Sequence, residues 1–149
     1  MRPSTSNVLA KFDLGTDGAT GHVDGSEIAV PKSYTSGNYT LTISAASKVY
    51  DGGKDETGKG ALKMGTSSAV GSFEFTVGDD VNKVIVYVAM YKLKNTQVII
   101  NGTTHTITTS SNDGAYTAIE VDTSTTKNVK IETVSGNCRC MIDAIEFVG

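Results

Sequence analysis

The chain lacks tryptophan, long apolar runs and any excess of positive charge. No run approaches the roughly 18–20 apolar residues that span a bilayer, and residues 1–7 lack the apolar centre of a signal peptide. The 13 Lys and Arg are scattered along a chain of net charge -3. Because no basic stripe is available to follow a phosphate backbone, we expect no nucleic-acid partner, and we expect no membrane insertion.

Cysteine and histidine are also scarce. Cys138 and Cys140 are separated by one residue, so on a strand they share a face at about 6.6 Å. That distance is near the long end of bridgeable separations, and we expect two small buried or half-buried thiols. His22 and His105 supply no metal-ligand spacing.

No catalytic constellation is recognisable in the sequence. A glycosidase needs two carboxylates roughly 5–9.5 Å apart across a cleft. Most of the 16 Asp and Glu fall in loops or at strand ends, where solvated turns explain them. Serine is plentiful, but the two histidines are the available bases, and no nucleophile motif accompanies them. We therefore expect that the chain is not an enzyme.

Thr, Ser, Gly and Asn fill the polar positions, and from Ala61 onward apolar and polar residues alternate between turn signals. This composition suits strands and turns better than helices. The clearest element is a hairpin, because Asn101-Gly102 separates two β-rich runs and tolerates the positive φ of a two-residue type I′ turn.

Alternation predicts strands at spacings of about 8–12 residues, which is typical of sandwiches. They cover Val8–Leu14, Tyr39–Ile43, Lys48–Tyr50, Ala61–Met64, Gly71–Val77, Asn82–Tyr91, the two arms of the hairpin Gln97–Ile107, Tyr116–Val121, Asn128–Thr133 and Cys138–Val148. We predict an all-β fold, a two-sheet antiparallel β-sandwich of the jelly-roll type.

Two strands carry further predictions. Asn82–Tyr91 is largely apolar on both faces, which indicates a strand that is covered on both sides. In the last strand, strict alternation breaks around Asp143-Ala144, which predicts a β-bulge.

At 149 residues the chain fits one domain with one core. We expect residues 1–7 to be an expression remnant or linker, with Met1 added for expression, and residues 8–149 to be a single β-sandwich binding module. The expected context is a longer extracellular protein, either secreted or held at the cell surface.

Strand and turn signatures recur in Phe12–Gly18, Ala61–Ser68, Val84–Lys92, Ile100–Gly102 and Met141–Phe147. Together they resemble a β-sandwich accessory domain of large secreted or surface proteins from gut and rumen bacteria. The segment Ile142–Phe147 also resembles the last strand of jelly-roll carbohydrate-binding modules. The resemblance implies a fold and an accessory role, and it says little about a ligand.

In several such families, acidic residues on the first and last strands help to hold a structural calcium ion. The resemblance gives these roles to Asp13 and Asp143. Asp17 and Asp24 also offer the oxygen ligands that Ca²⁺ prefers, although the spacing does not match an EF-hand loop. Asx-turn chemistry explains the same aspartates, so both interpretations stay open.

Tyrosine is the aromatic residue available for binding a sugar, which typically uses a ring against the apolar sugar face and polar groups on the hydroxyls. Tyr87 and Tyr91 share one strand face at about 13 Å. Each tyrosine also has an ordinary interpretation as a core or rim residue. The candidate carbohydrate-binding residues are Tyr87, Tyr91, Lys92, Asn95, Gln97, Tyr50 and Tyr116.

The leading hypothesis is a non-catalytic carbohydrate-binding module that targets an attached secreted glycoside hydrolase to plant polysaccharide. Soluble or amorphous β-glucan or hemicellulose is the expected ligand, because the absence of tryptophan disfavours tight binding to flat crystalline polymers. The alternative is a structural or adhesive spacer of a bacterial surface protein with no glycan ligand. Tyrosines exposed beside polar groups favour the first hypothesis, and tyrosines packed in the core favour the second.

Overall fold

The computed structural model describes residues 7–14, 26–54, 60–91 and 96–149. Over these residues the chain forms thirteen strands and a short 3-10 helix at Ser111–Asp113. The strands are β1 (Val8–Asp13), β2 (Ser26–Glu27), β3 (Lys32–Ser36), β4 (Tyr39–Ser47), β5 (Val49–Lys54), β6 (Gly60–Met64), β7 (Ser72–Thr76), β8 (Lys83–Met90), β9 (Thr96–Ile100), β10 (Thr103–Ile107), β11 (Thr117–Asp122), β12 (Asn128–Thr133) and β13 (Cys140–Val148).

The strands form two sheets that pack face to face. The first sheet has the order β11-β8-β13-β6-β5-β2, with β1 also paired to β13. The second has the order β10-β9-β12-β7-β4-β3. Neighbouring strands are antiparallel throughout. The predicted all-β, two-sheet sandwich is confirmed. Among the described residues, no helix has the length and hydrophobicity of a membrane span.

The core lies between the sheets because each strand turns alternate apolar side chains inward. Phe147 is central to it, with its ring centroid 4.8 Å from that of Phe12 and 6.3 Å from that of Phe75. The largest fully buried side chains are Phe12, Phe73, Phe75, Leu14, Leu41, Ile43, Leu62, Met64, Ile131, Met141, Ile142 and Ile145.

The strand β13 is the axis of the first sheet. It pairs with β8 along its whole length, and its other edge is divided between β6 near Cys140–Ile142 and β1 near Ala144–Val148. The register shifts between Ile142 and Ala144, which leaves Asp143 as the extra residue. The predicted bulge is therefore confirmed. Beyond the other end of β1, the Gly149 N–H donates to the Asn7 carbonyl at 2.8 Å.

The predicted hairpin is also confirmed. Ile100 pairs with Thr103 across a two-residue turn, and Asn101 and Gly102 have φ values of 48° and 85°. These are the positive φ values that a type I′ turn requires. The Asn101 side chain fastens the turn to β12, because its amide donates to the Asn128 carbonyl and its oxygen accepts from the Lys130 N–H.

Two strands lie where the sequence analysis assigned none. β2 is two residues long, and β3 is polar except for Tyr34. A strand at the edge of a sheet needs little apolar surface, so its alternation is weak. Both strands are edge strands, and β3 follows Pro31 directly.

The two cysteines are free thiols, as expected, with Cys138 half-buried and Cys140 buried. Burial raises the pKa of the Cys140 thiol to about 12. Its Sγ lies 3.7 Å from the Met64 Sδ, so it serves as a small apolar core residue.

Thr133, the last residue of β12, holds the loop before β7 in place through two hydrogen bonds to Gly71. Its buried Oγ1 accepts from the Gly71 N–H at 2.9 Å, and its own N–H donates to the Gly71 carbonyl at 2.9 Å. A Cβ on Gly71 would lie 2.2 Å from the Gly65 nitrogen, so glycine alone fits this position.

Thr133→Val is expected to destabilise the fold by about 1–3 kcal/mol, because the isosteric change leaves the Gly71 N–H buried without an acceptor. Urea unfolding measures the difference in the free energy of unfolding. Thr104→Val is the matched control at an exposed position, where a change within about 0.5 kcal/mol is expected. Equal effects of the two substitutions would contradict this role for Thr133.

Tyr34 has a buried hydroxyl oxygen with no hydrogen-bond partner among the described residues. Burial, and secondly the charge of Asp51, raises the Tyr34 pKa above its ordinary value of 10.0. The folded state therefore holds its phenolic proton after the unfolded state has lost it. Stability from this group is complete below about pH 10 and is lost as the pH rises above it.

Tyr34→Phe is expected to be neutral or stabilising at pH 7, since it removes an unpaired hydroxyl, and to flatten the loss of stability above about pH 10. The control is Tyr39→Phe, which removes a hydroxyl that donates to the Asp80 carboxylate at 2.6 Å. That variant is expected to be slightly destabilised at pH 7, because it loses a hydrogen bond to a carboxylate. Urea unfolding from pH 7 to 11 measures the stability of both variants. A clear destabilisation by Tyr34→Phe at pH 7 would show that the Tyr34 hydroxyl is not an unpaired buried group.

Candidate functional site

Four of the six tyrosines lie on the outer surface of the first sheet. Because β8 directs Val84, Val86 and Val88 into the core, Tyr87 and the following Tyr91 project outward. Tyr50 projects outward from β5, which directs Val49 into the core. Tyr116, just before β11, packs on the outer apolar cluster of Ala61, Met141 and Tyr91. We call this surface, defined by Tyr50, Tyr87, Tyr91 and Tyr116, the tyrosine face.

The register aligns Tyr50 with Ala89, the residue midway between Tyr87 and Tyr91, in one row across the strands. Tyr50 is opposite Lys63, Lys63 is opposite Met141, and Met141 is opposite Ala89. Four strand spacings separate β5 from β11, so the face extends about 19 Å across the sheet.

Cations lie over three of the four rings of this face, those of Tyr50, Tyr87 and Tyr91. The Lys63 Nζ lies 5.0 Å from the Tyr50 ring centroid and 4.9 Å from that of Tyr91. The Arg139 Cζ is also 4.9 Å from the Tyr91 centroid, and the Lys11 Nζ is 5.7 Å from that of Tyr87. These distances fall within the range of cation–π attraction.

The four tyrosines differ in exposure. Tyr91 is only 9% exposed, whereas Tyr50, Tyr87 and Tyr116 are half-buried. Tyr91 therefore supports the cations above it, and the other three rings are the ones that can contact a ligand. The Tyr87 hydroxyl donates to the Glu146 Oε1 at 2.8 Å, and burial and this bond raise the Tyr87 pKa.

The structure brings together four of the seven residues predicted for binding. Gln97 lies apart, on β9 of the second sheet, where its amide donates to Thr106 at 3.2 Å. Gln97 is close to Tyr91 in the sequence but not in the fold, because the chain crosses from the first sheet to the second after β8. Lys92 and Asn95 lie outside the described residues.

Sequence reasoning missed Lys63 and Arg139 as members of the face. Lys63 alternates with Leu62 and Met64, so its outward direction was readable from the strand pattern. The contact of Arg139 with Tyr91 depends on the pairing of distant strands, which the sequence did not specify.

Asp13 and Asp143 meet where β1 ends against the bulge in β13. Asp13 is paired with Ala144, and the Leu14 N–H donates to the Asp143 carbonyl at 2.8 Å. Two carboxylates supply at most four of the six to eight oxygens that calcium prefers. Over the described ranges, no group of three His, Cys, Asp or Glu side chains is placed to hold a metal ion. These residues alone therefore do not complete a calcium site.

A second surface feature lies along the flank where the edge strands β10 and β11 face each other. Clefts of about 320 and 480 Å³ occur there, and His105 and Glu120 line both. The four tyrosines line neither cleft. These two clefts are therefore separate from the tyrosine face.

Comparison with protein-family models gives no match, and comparison with curated proteins gives none. Solved structures that are similar to this chain at low identity include the following three. A family two carbohydrate esterase from Cellvibrio japonicus is 12% identical over 72% of this chain and 30% of its own, with a TM-score of 0.44. The carbohydrate-binding module CBM36 in complex with calcium and xylotriose is 15% identical over 74% of this chain and 93% of its own, with a TM-score of 0.36.

The third is the insecticidal crystal protein Cry2Aa, which is 19% identical over 71% of this chain and 18% of its own, with a TM-score of 0.37. This chain therefore spans less than a third of the length of the esterase and of Cry2Aa. At these identities and scores, the comparisons assign neither a family nor an activity.

Proposed function

We propose that this chain is a non-catalytic carbohydrate-binding module whose ligand lies on the tyrosine face. The observation that carries the proposal is the placement of four of the six tyrosines on the outer side of the first sheet, away from the core between the sheets, with three of them half-buried. Large aromatic side chains on an open surface are typical of interaction sites.

The neighbouring polar groups fit the hydroxyls of a sugar. Lys11 and Glu146 lie beside Tyr87, and Lys63 lies between Tyr50 and Tyr91. A few convergent polar groups around apolar surface are the usual composition of a binding site. The face therefore combines the two chemical features that sugar recognition needs.

The proposed ligand is soluble or amorphous plant polysaccharide, such as β-glucan or hemicellulose. The chain lacks tryptophan, which disfavours tight binding to flat crystalline polymers. In this proposal the domain acts outside the cell and holds an attached secreted glycoside hydrolase near its substrate. Binding to the polymer raises the effective concentration of the attached enzyme at the substrate.

Tyr50→Ala is expected to weaken glycan binding by about 1–2 kcal/mol, or roughly 5–30-fold, because it removes a half-exposed ring from the face. Tyr87→Ala and Tyr116→Ala should act in the same direction. Calorimetric titration with xyloglucan and mixed-linkage β-glucan oligosaccharides measures the affinities. Tyr39→Ala is the matched control, since Tyr39 lies on the second sheet against Phe147; it should lower the melting temperature without changing affinity.

Tyr91→Ala separates packing from binding. Because Tyr91 is 9% exposed, its truncation is expected to cost about 3 kcal/mol of folding stability. If the unmodified domain binds no plant or microbial polysaccharide at millimolar concentration, the function proposed here fails and the structural or adhesive spacer is the better interpretation.

A structural calcium ion at Asp13 and Asp143 is the proposed cofactor. Their adjacency at the bulge supports the proposal. If calcium binds the folded state, mass action stabilises the fold by about 2.7 kcal/mol at a hundredfold excess over Kd.

Added Ca²⁺ is accordingly expected to raise the melting temperature of the domain, and EDTA to lower it. Asp13→Asn and Asp143→Asn should abolish both responses, whereas Asp113→Asn, at an exposed position of the 3-10 helix, should keep them. A melting temperature that is unchanged by Ca²⁺ and by EDTA would show that Asp13 and Asp143 only shape the turn and the bulge.

A further inference from the structure

Two positive charges converge on one buried ring of the tyrosine face. The Lys63 Nζ and the Arg139 Cζ each lie 4.9 Å from the Tyr91 centroid, so they are less than about 10 Å apart. The chain as a whole is negative, with a net charge of -3. This concentration of cations is therefore a local feature of the face and not a reflection of a basic protein.

Arg139 is held in place but incompletely satisfied. Its side chain crosses Gly65, where its Cγ lies 3.6 Å from the position of a Cβ, and its guanidinium rests on Tyr91. The Nε is buried with no hydrogen-bond partner, and one terminal nitrogen donates to the Asn137 Oδ1 at 3.4 Å. Within the described part of the chain, no carboxylate pairs with this guanidinium.

Lys63 and Arg139 determine which chemical groups a ligand contacts first at this part of the face. Because Lys63 and Arg139 rest on Tyr91, a ligand arriving there meets positive charge before it meets an aromatic ring. The half-buried position of both cations strengthens their attraction to an anion relative to fully solvated charges. A guanidinium in addition presents parallel N–H donors that match the two oxygens of a carboxylate.

We propose that Lys63 and Arg139, seated on Tyr91, bind the carboxylate of a uronic acid residue in an acidic polysaccharide. The inference rests on the proposed function and makes its ligand more specific. Tyr50 and Tyr116 flank the cluster and contact the sugars on either side of the uronic acid. The site thus selects an acidic glycan by one charged contact and holds the flanking sugars by apolar contacts.

The test compares polygalacturonate with its fully methyl-esterified form, which has the same backbone without the charge. Affinity electrophoresis and calorimetric titration at 0.1 M NaCl measure binding, with xyloglucan as a neutral plant polymer. Polygalacturonate is expected to bind at least about 10-fold more tightly than the ester, since a hydrogen-bonded charge pair contributes about 1.5–3 kcal/mol.

Arg139→Gln is expected to remove that preference, and Lys63→Gln to reduce it, because each lowers the affinity for polygalacturonate much more than the affinity for the ester. Arg139→Lys keeps the charge without the paired donors and should give an intermediate loss. Lys130→Gln is the matched control, because it removes one exposed charge from β12 of the second sheet. Melting temperatures establish that each variant is folded, and Arg139→Lys decides the matter if Arg139→Gln does not fold.

The outcomes separate the two proposals. Binding to xyloglucan and to the ester with no preference for polygalacturonate would leave the proposed function standing and overturn the uronic acid site. Equal binding to dextran sulfate, or equal losses in Lys130→Gln and Arg139→Gln, would indicate general attraction of polyanions and would overturn it too. Failure to bind any of the polymers would refute the proposed function itself.

Discussion

The single extra residue in β13 is the constraint on which the first sheet depends. Up to Ile142 this strand pairs with β6, and from Ala144 onward it pairs with β1, so Asp143 stands at the exchange between two partners. The bulge also resets the alternation, because Ile142 and Ile145 both enter the core although three positions separate them. Without the extra residue, every side chain after it would turn to the opposite face.

Side chains on the outer face of the first sheet can contact a ligand because other residues form the core between the sheets. Phe12, Phe75 and Phe147 pack against one another between the sheets, and the outward residues of β5, β6 and β8 do not belong to that core. The tyrosines placed there hold cations that a plain polar surface would leave fully solvated. The aromatic rings in contact with Lys63 and Arg139 therefore determine where positive charge lies on the face, and they also supply its apolar area.

Local rules accounted for most of the fold and for the grouping of the tyrosines. The Asn101-Gly102 turn and the bulge at Asp143 follow from backbone preferences and side-chain period, and Tyr87 and Tyr91 follow from alternation along one strand. The edge strand β3 was not predicted because it buries too little to show a pattern. Gln97 was misplaced and Arg139 overlooked because strand order across a sandwich is a non-local property.

The pairing of Val8 with Val148, continued by the bond between Gly149 and Asn7, also has a mechanical consequence. Tension applied through residues 7 and 149 pulls two neighbouring antiparallel strands apart from their shared end. The bonds between β1 and β13 then carry the load one pair at a time instead of sharing it in shear. Such a domain is expected to unfold at low force along this direction.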